Sequence, residues 1–244
     1  IISQLAQGST RYNISKTALA KIEWNLPNLS EQKTIAEALS DIDELISMSK
    51  NELEKRSNIA LGVIGQIIDG SYFQSRSIDC EFRTIKDLGI RVEKGALITE
   101  KTARPGKIPV IAGGFKPAYF HDEPNRTGTT ITVSASGANA GFVNIWREEI
   151  WASDCSTISE SSEYEVRYIY YVLLGLQSEI YKSQYGGAQP HVRPNEIYNL
   201  VIPWINFDEQ QVVADILDDA FFEIKSMEDQ IRKYEWLKQG MMND

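Results

Sequence analysis

The amino-acid pattern points to an α+β architecture, in which a head of mixed and antiparallel strands is attached to two long antiparallel helices of coiled-coil character. The helices are signalled by two amphipathic segments that each open on a Glu-Gln pair, Glu31-Gln32 and Glu209-Gln210. The head is signalled by short β-rich runs between glycine turns in the region that separates them. The chain also repeats itself: superposing the two Glu-Gln pairs gives an offset of 178 residues at which the polar and apolar order persists.

From Glu31, apolar residues recur at Ile35, Leu39, Ile42, Ile46, Leu53, Ala60, Val63 and Ile67, with Ser49 and Arg56 interrupting the seam. The second segment runs Val213, Leu217, Ala220, Ile224, Met227, Ile231 and Tyr234, with Lys238 off the pattern and Met241 restoring it. Ser30 and Asp208 precede the Glu-Gln pairs and are expected to cap the first turns. A continuous helix from Glu31 to Asp69 would extend about 58 Å and needs a partner for so one-sided a face. The repeat supplies that partner within the chain, and the seam defects argue against a free-standing zipper between chains. At the same offset Gly8 falls on Gly186, Ile14 on Val192, Leu19 on Ile197 and Leu29 on Phe207, so the repeat extends beyond the helices.

Asp69-Gly70-Ser71 ends the first helix. Within the head, "FRTIKDLGIRVEKG" reads as strand, short helical turn and strand, while "KIPVIAGGF" and "TTITVSASGANAGFVNIW" read as strands bounded by glycine turns. "EVRYIYYVLLGLQSEIYKS" has helical apolar spacing and should lie across the sheet, and "NLVIPWI" is a closing strand.

Composition narrows the possible functions. No run of 18 apolar residues is present, so a membrane span is not expected. Cys80 and Cys155 are too few and too far apart for a disulfide framework, and with two histidines they match no zinc spacing. Reduced thiols in a cytoplasmic protein are the simple reading. The net charge of −9 opposes nucleic acid at first sight, but residues 31–54 carry −5 and residues 208–229 carry −7. The remainder is net positive, so the negative balance belongs to the helices.

A catalyst is hard to find. Cys155 is the one candidate nucleophile, and it has no histidine near it in sequence. No phosphate-binding loop is present, and Asn25–Leu29 lacks the paired prolines and aromatic residue of an amino-methyltransferase signature. The polar loops are more informative. Lys101, Arg104, Lys107 and Lys116 flank "IPVIAGG"; His121, Asn125 and Arg126 follow; Ser134, Ser136 and Asn139 lie among small residues; Gln184, Gln189, His191 and Arg193 close the series. Arginine can grip guanine, Asn or Gln can pair with adenine, and Lys or Ser can hold phosphates. The same residue types also make ordinary solvated turns. Taken alone they define a binding module with an open ligand, with a coiled-coil scaffold that binds protein as the alternative.

The order of "IPVIAGGFKPAYF", "TTITVSASGANAGFVNIWREEIWASDCSTI", "YIYYVLLGL", "GGAQPHVRPNEIYNLVIP" and "FDEQQVVADIL" resembles the DNA-specificity subunit of type I restriction–modification systems. The earlier "GSTRYNISKTALAKIEWNLPNLSEQKTIAEALSDIDELI" resembles the end of a preceding recognition domain running into its helix. The resemblance implies residues 1–28 as the tail of a first target-recognition domain and residues 29–70 as a first spacer helix. Residues 71–205 would then be a complete target-recognition domain and residues 206–244 a second spacer helix.

It further implies a non-catalytic subunit that reads a bipartite duplex target. Two modification subunits would methylate adenine N6 with S-adenosylmethionine, and restriction subunits would use ATP and Mg; this chain would bind no cofactor. Carried over by position, the DNA face draws on Lys107, Lys116, Ser134, Ser136, Asn139, Gln189, His191 and Arg193, with Arg11, Tyr12 and Lys16 from the first tail. Exposed acids such as Asp41, Glu44, Asp218 and Glu223 offer docking surfaces for the modification subunits. Of the first recognition domain that the resemblance leads one to expect, these residues match the tail. The chain is therefore expected to be a fragment or a half-size subunit that pairs with a second copy, and to bind DNA weakly and one-sidedly alone.

Overall fold

The computed structural model describes residues 15–21, 26–187 and 189–242. In chain order the elements are α1 (Lys16–Leu19), α2 (Leu29–Ile68), α3 (Ser71–Gln74), β1 (Glu81–Thr84), β2 (Glu93–Lys94), β3 (Ile108–Ile111), β4 (Tyr119–His121) and β5 (Thr130–Ser134). There follow β6 (Val143–Trp146), β7 (Trp151–Ala152), β8 (Cys155–Ser159), α4 (Val166–Gly175), α5 (Gln177–Lys182), α6 (Pro194–Tyr198), β9 (Val201–Trp204) and α7 (Phe207–Met241). The chain divides into two compact units, residues 1–50 with 230–244, and residues 51–229.

Both long helices begin in the same way. The Asn28 side-chain oxygen accepts the Glu31 N–H at 3.0 Å, and the Asn206 oxygen accepts the Glu209 N–H at 3.0 Å. Gln32 Nε2 donates to the Pro27 carbonyl at 2.7 Å, and Gln210 Nε2 donates to the Ile205 carbonyl at 2.9 Å. Each pair is separated by the 178-residue offset, so the sequence repeat is also a repeat of hydrogen bonds. The caps are therefore Asn28 and Asn206, and not Ser30 and Asp208, which lie inside the first turns. A carboxamide oxygen satisfies the orphan N–H as well as a hydroxyl or carboxylate does. Asp208 is left to complement the positive end of the helix dipole.

In the unit of residues 1–50 and 230–244, α2 buries Ile42 and Ile46, with Leu39 half-buried and Ile35 exposed. The end of α7 contributes buried Ile231 and half-buried Tyr234. Asp43 meets Lys238 at 2.5 Å and Lys50 meets Glu235 at 2.7 Å, a descending register that makes the segments antiparallel. Lys238 is thus not a break in the seam: it is half-buried and carries its ammonium out to Asp43.

The unit of residues 51–229 holds the head together with the helix segments at its root. One four-stranded sheet runs β2-β8-β5-β6 and is antiparallel throughout; a second runs β4-β3-β7, where β3 and β7 are parallel; β1 pairs with β9 alone. On α2, Leu53 and Val63 are half-buried, Ile67 is buried, and Ile64, absent from the simple heptad reading, is buried at 3% exposure. Ile64 turns inward because α4 packs there: a Cβ on Gly175 would stand 2.6 Å from the Ile64 side chain. Arg56 leaves the seam to half-buried Ser57 and pairs with Glu52 and with Glu223 of α7. On α7, Val213, Ala214 and Leu217 are buried, while Ala220, Ile224 and Met227 are half-buried.

The segment expected as one helix across the sheet is two, α4 and α5, with Leu176 between them. α4 is buried on most of its circumference, through Val166, Tyr168, Ile169, Tyr171, Val172 and Leu173. Its buried hydroxyls are satisfied: Tyr168 donates to the Pro203 carbonyl at 2.9 Å and Tyr171 to Asp218 at 2.6 Å.

Candidate nucleic-acid interface

Three glycine-bearing loops converge at one end of the head. The first, Ala112–Lys116, follows β3; the second joins β5 to β6; the third runs from α5 to α6. Gly113 makes the first junction possible, because a Cβ there would lie 2.8 Å from the Ser136 carbonyl oxygen. Phe115 and Phe142 meet edge to face at 4.5 Å and pin the same two loops. On the other side, the Gly137 N–H donates to the Pro190 carbonyl at 3.1 Å and the Val192 N–H to the Ala135 carbonyl at 3.0 Å. The middle loop is therefore clamped between the other two.

The third loop is a hairpin closed by two bonds between Tyr185 and His191, at 3.1 and 2.9 Å. Gly186 at its turn has φ +93°, and a Cβ there would be 2.6 Å from the Gln189 carbonyl oxygen. His191 stacks on Tyr185 with ring centres 5.7 Å apart, and the Arg193 guanidinium carbon lies 4.1 Å from the centre of the same ring.

Sequence-predicted residues divide accordingly. Lys116, Ser136, Asn139, Gln189, His191 and Arg193 lie on or beside the three loops; Lys116, Gln189 and Arg193 are exposed and the other three half-buried. Ser136 donates to Asp154, and the Asn139 carboxamide makes no hydrogen bond among the described residues. Ser134 is buried at the end of β5, its hydroxyl 3.4 Å from the Ser136 carbonyl, which is a loop-shaping position. Lys107 is exposed just before β3, whereas the glycine loop leaves the far end of that strand. Lys16 is exposed on α1 in the other unit, and Arg11 and Tyr12 lie outside the described residues.

Several other loop cations and amides are already committed. Arg104 binds Asp122 at 2.7 Å and Glu123 at 2.9 Å, and its hydrogen bond holds the Asp122 carboxyl below the usual range. Buried His121 accepts the Arg104 N–H, and Asn125 bonds both the N–H and the carbonyl of Ala152. Arg126 reaches Thr157, Lys94 and Glu93. Gln184 donates to the Ala140 carbonyl at 2.6 Å. Tyr185 and Phe115 were not singled out by residue chemistry, yet both adjoin a Gly-Gly pair, a signal that marks an aromatic residue held at a loop apex.

A second network seats the head on its helix. Arg167 binds Glu165 at 3.0 Å, Asp215 at 2.7 Å and Asp218 at 2.9 Å, and Arg147 meets Asp218 at 2.5 Å. Burial works to raise the Asp218 carboxyl, but hydrogen bonds from Tyr171, Arg167 and Arg147 outweigh it and hold the group below the usual range. Asp218 and Glu223, two acids offered for docking, are thus occupied within the chain, whereas Asp41 and Glu44 are exposed.

Cys155 does not look like a nucleophile. Its thiol is buried, donates to the Ile111 carbonyl instead of meeting an imidazole, and is pushed up by burial to about 12. No cluster of three His, Cys, Asp or Glu suited to a metal is found among the described residues, and no described helix is long and apolar enough to cross a membrane. Clefts of about 400 and 530 Å³ on the head are lined around Ser159–Glu165 and include no residue of the three loops. The loops form an open polar surface of the kind that suits a large, regular partner.

The family model of the type I restriction modification DNA specificity domain matches residues 1–55 and 77–233. The type I restriction enzyme MjaVIII specificity subunit of Methanocaldococcus jannaschii is 23% identical over 270 residues, covering 95% of this chain. The chain spans 63% of that relative's length. Among solved structures, the type I restriction–modification S subunit from M. genitalium aligns with TM-score 0.70 at 21% identity, over 98% of this chain and 67% of that one. The HsdS subunit from Thermoanaerobacter tengcongensis aligns with TM-score 0.60 at 14% identity, over 99% and 66%. With the family model matched across both helix starts and residues 77–205 of the head between them, this chain belongs to the type I restriction–modification DNA specificity family.

Proposed function

We propose that the chain is a DNA-reading, non-catalytic part of a type I restriction–modification assembly. Residues 71–205 act as a target-recognition domain for one half of a bipartite duplex target, and residues 29–70 and 206–244 act as spacer helices. The observation that carries this reading is the convergence of three loops whose exposed Lys116, Gln189 and Arg193 remain available to a partner. Partner modification subunits bring S-adenosylmethionine and methylate adenine N6, and restriction subunits bring ATP and Mg. A second recognition head, from another copy of this chain or from a further domain, reads the other half-site.

The spacer helices then work as a ruler. Inserting one heptad in each helix adds about 10.5 Å and should lengthen the permitted gap by about three base pairs. The test is to purify the chain with its methyltransferase, map the methylated adenines, and repeat with the lengthened helices. A changed gap with the same bases read is expected. An unchanged gap, altered bases, or a chain with no salt-dependent duplex affinity overturns the reading, the last in favour of a protein-binding scaffold.

A further inference from the structure

Arg76 and Arg193 both lie over a tyrosine ring without a carboxylate partner among the described residues, and of the two Arg193 lies on the converging loops. Arg56, Arg104, Arg126, Arg147 and Arg167 all pair with carboxylates, whereas Arg193 meets no carboxylate side chain with its guanidinium among the described residues. It rests instead on the Tyr185 ring, 4.1 Å from its centre. Its backbone is fixed from both sides: the Arg193 N–H donates to the Glu196 carboxylate at 2.7 Å, and neighbouring Val192 is buried and tied to the Ala135 carbonyl. Tyr185 is itself locked by two backbone bonds to His191 and by the stacked imidazole.

A lysine would serve to neutralise a phosphate. A planar fork held over a ring loses less freedom when both its donors engage at once, which favours a planar, bidentate acceptor. On the edge of a duplex, that acceptor is guanine O6 with N7. We propose that Tyr185 is a positioning residue that orients the Arg193 guanidinium to read a guanine. This rests on the head being a duplex reader.

The experiment uses the full chain with its methyltransferase partner and the target obtained by selection from random duplexes. Each guanine of the half-site is replaced in turn by 7-deazaguanine, which lacks the N7 acceptor. The wild type and Tyr185→Phe, which keeps the ring, should lose roughly 5- to 100-fold in affinity at one position. Tyr185→Leu and Arg193→Lys should lose most of that sensitivity, and Tyr185→Leu should keep its affinity for random duplex. If Tyr185→Leu does not fold, Tyr185→Met, of similar reach and without a ring, is judged by the same standard. Sensitivity retained in the ring-less variant, or affinity reduced equally on target and random duplex, overturns the proposal. A wild type that prefers no duplex at all overturns the duplex reading itself, which is a distinguishable failure.

Discussion

Gln32 and Gln210 occupy equivalent places in the repeat and make the same bond to the residue before the helix cap, yet their surroundings differ. Gln32 is exposed, whereas Gln210 is fully buried and its oxygen also accepts the Glu165 N–H at 2.9 Å. Gln210→Ala strands the buried Ile205 carbonyl and the part-buried Glu165 N–H, at a combined cost of about 3 kcal/mol, since an unpaired buried group costs about 1–3 kcal/mol. A loss of about 3 kcal/mol corresponds to a fall in Tm of about 6–12 °C for a chain of this size. Gln32→Ala removes one solvent-accessible bond and should change stability by no more than about 0.5 kcal/mol. Thermal melts followed by circular dichroism compare the two variants, and hydrogen exchange at the Glu165 amide locates the effect. Equal changes in the two variants, or an unaltered Glu165 amide in Gln210→Ala, would show that burial does not separate the two repeats.

Gly113→Ala should reduce target selectivity more than stability, since the added Cβ pushes the first loop off the Ser136 carbonyl; competition between target and random duplex, set beside a melting curve, measures both. The exposed Arg56–Glu223 pair should show only a weak coupling in a double-mutant cycle and fade with added salt, and a charge reversal at both positions should recover it. Burial raises the Cys155 thiol from near 9 and the Tyr164 hydroxyl from near 10, both to about 12, so each stays protonated in the fold where the unfolded chain has lost its proton. Their stabilising contribution is therefore intact below about pH 9 and declines as pH rises toward 12, as denaturant titrations across that interval should show. Cys155 should likewise resist alkylation in the native state and react after unfolding.

The helices and the β5–β6 hairpin were legible in the sequence because apolar period and glycine turns are local signals. The caps were harder to place, since Asn28 and Asn206 sit beside Leu29 and Phe207 while the more conspicuous Ser30 and Asp208 lie two residues on. Ile64 was hidden because the heptad reading supposes one partner helix, and α4 supplies a second surface through Gly175. Residue type also overstated the free polar surface. Arg104, His121, Asn125 and Arg126 look like loop contacts in a string of letters, but tertiary partners recruit each of them into the scaffold. Tyr185 was missed for the opposite reason: an aromatic residue suggests core until the hairpin presents its ring to Arg193.

The core has a consequence for grafting. Ile64 and Ile67 from α2, and Val213, Ala214 and Leu217 from α7, belong to the same buried cluster as Tyr168, Ile169 and Val172 of the head. A head excised at residues 70 and 206 would leave its own foundation behind and confront a stranger's side chains at Gly175, where there is no room for a poor match. Cuts near residues 51 and 229 follow the natural seam of compactness and carry the foundation along. The transplantable module is thus larger than the head itself, and chimeras made at the inner and outer pairs of junctions should differ in whether they fold at all.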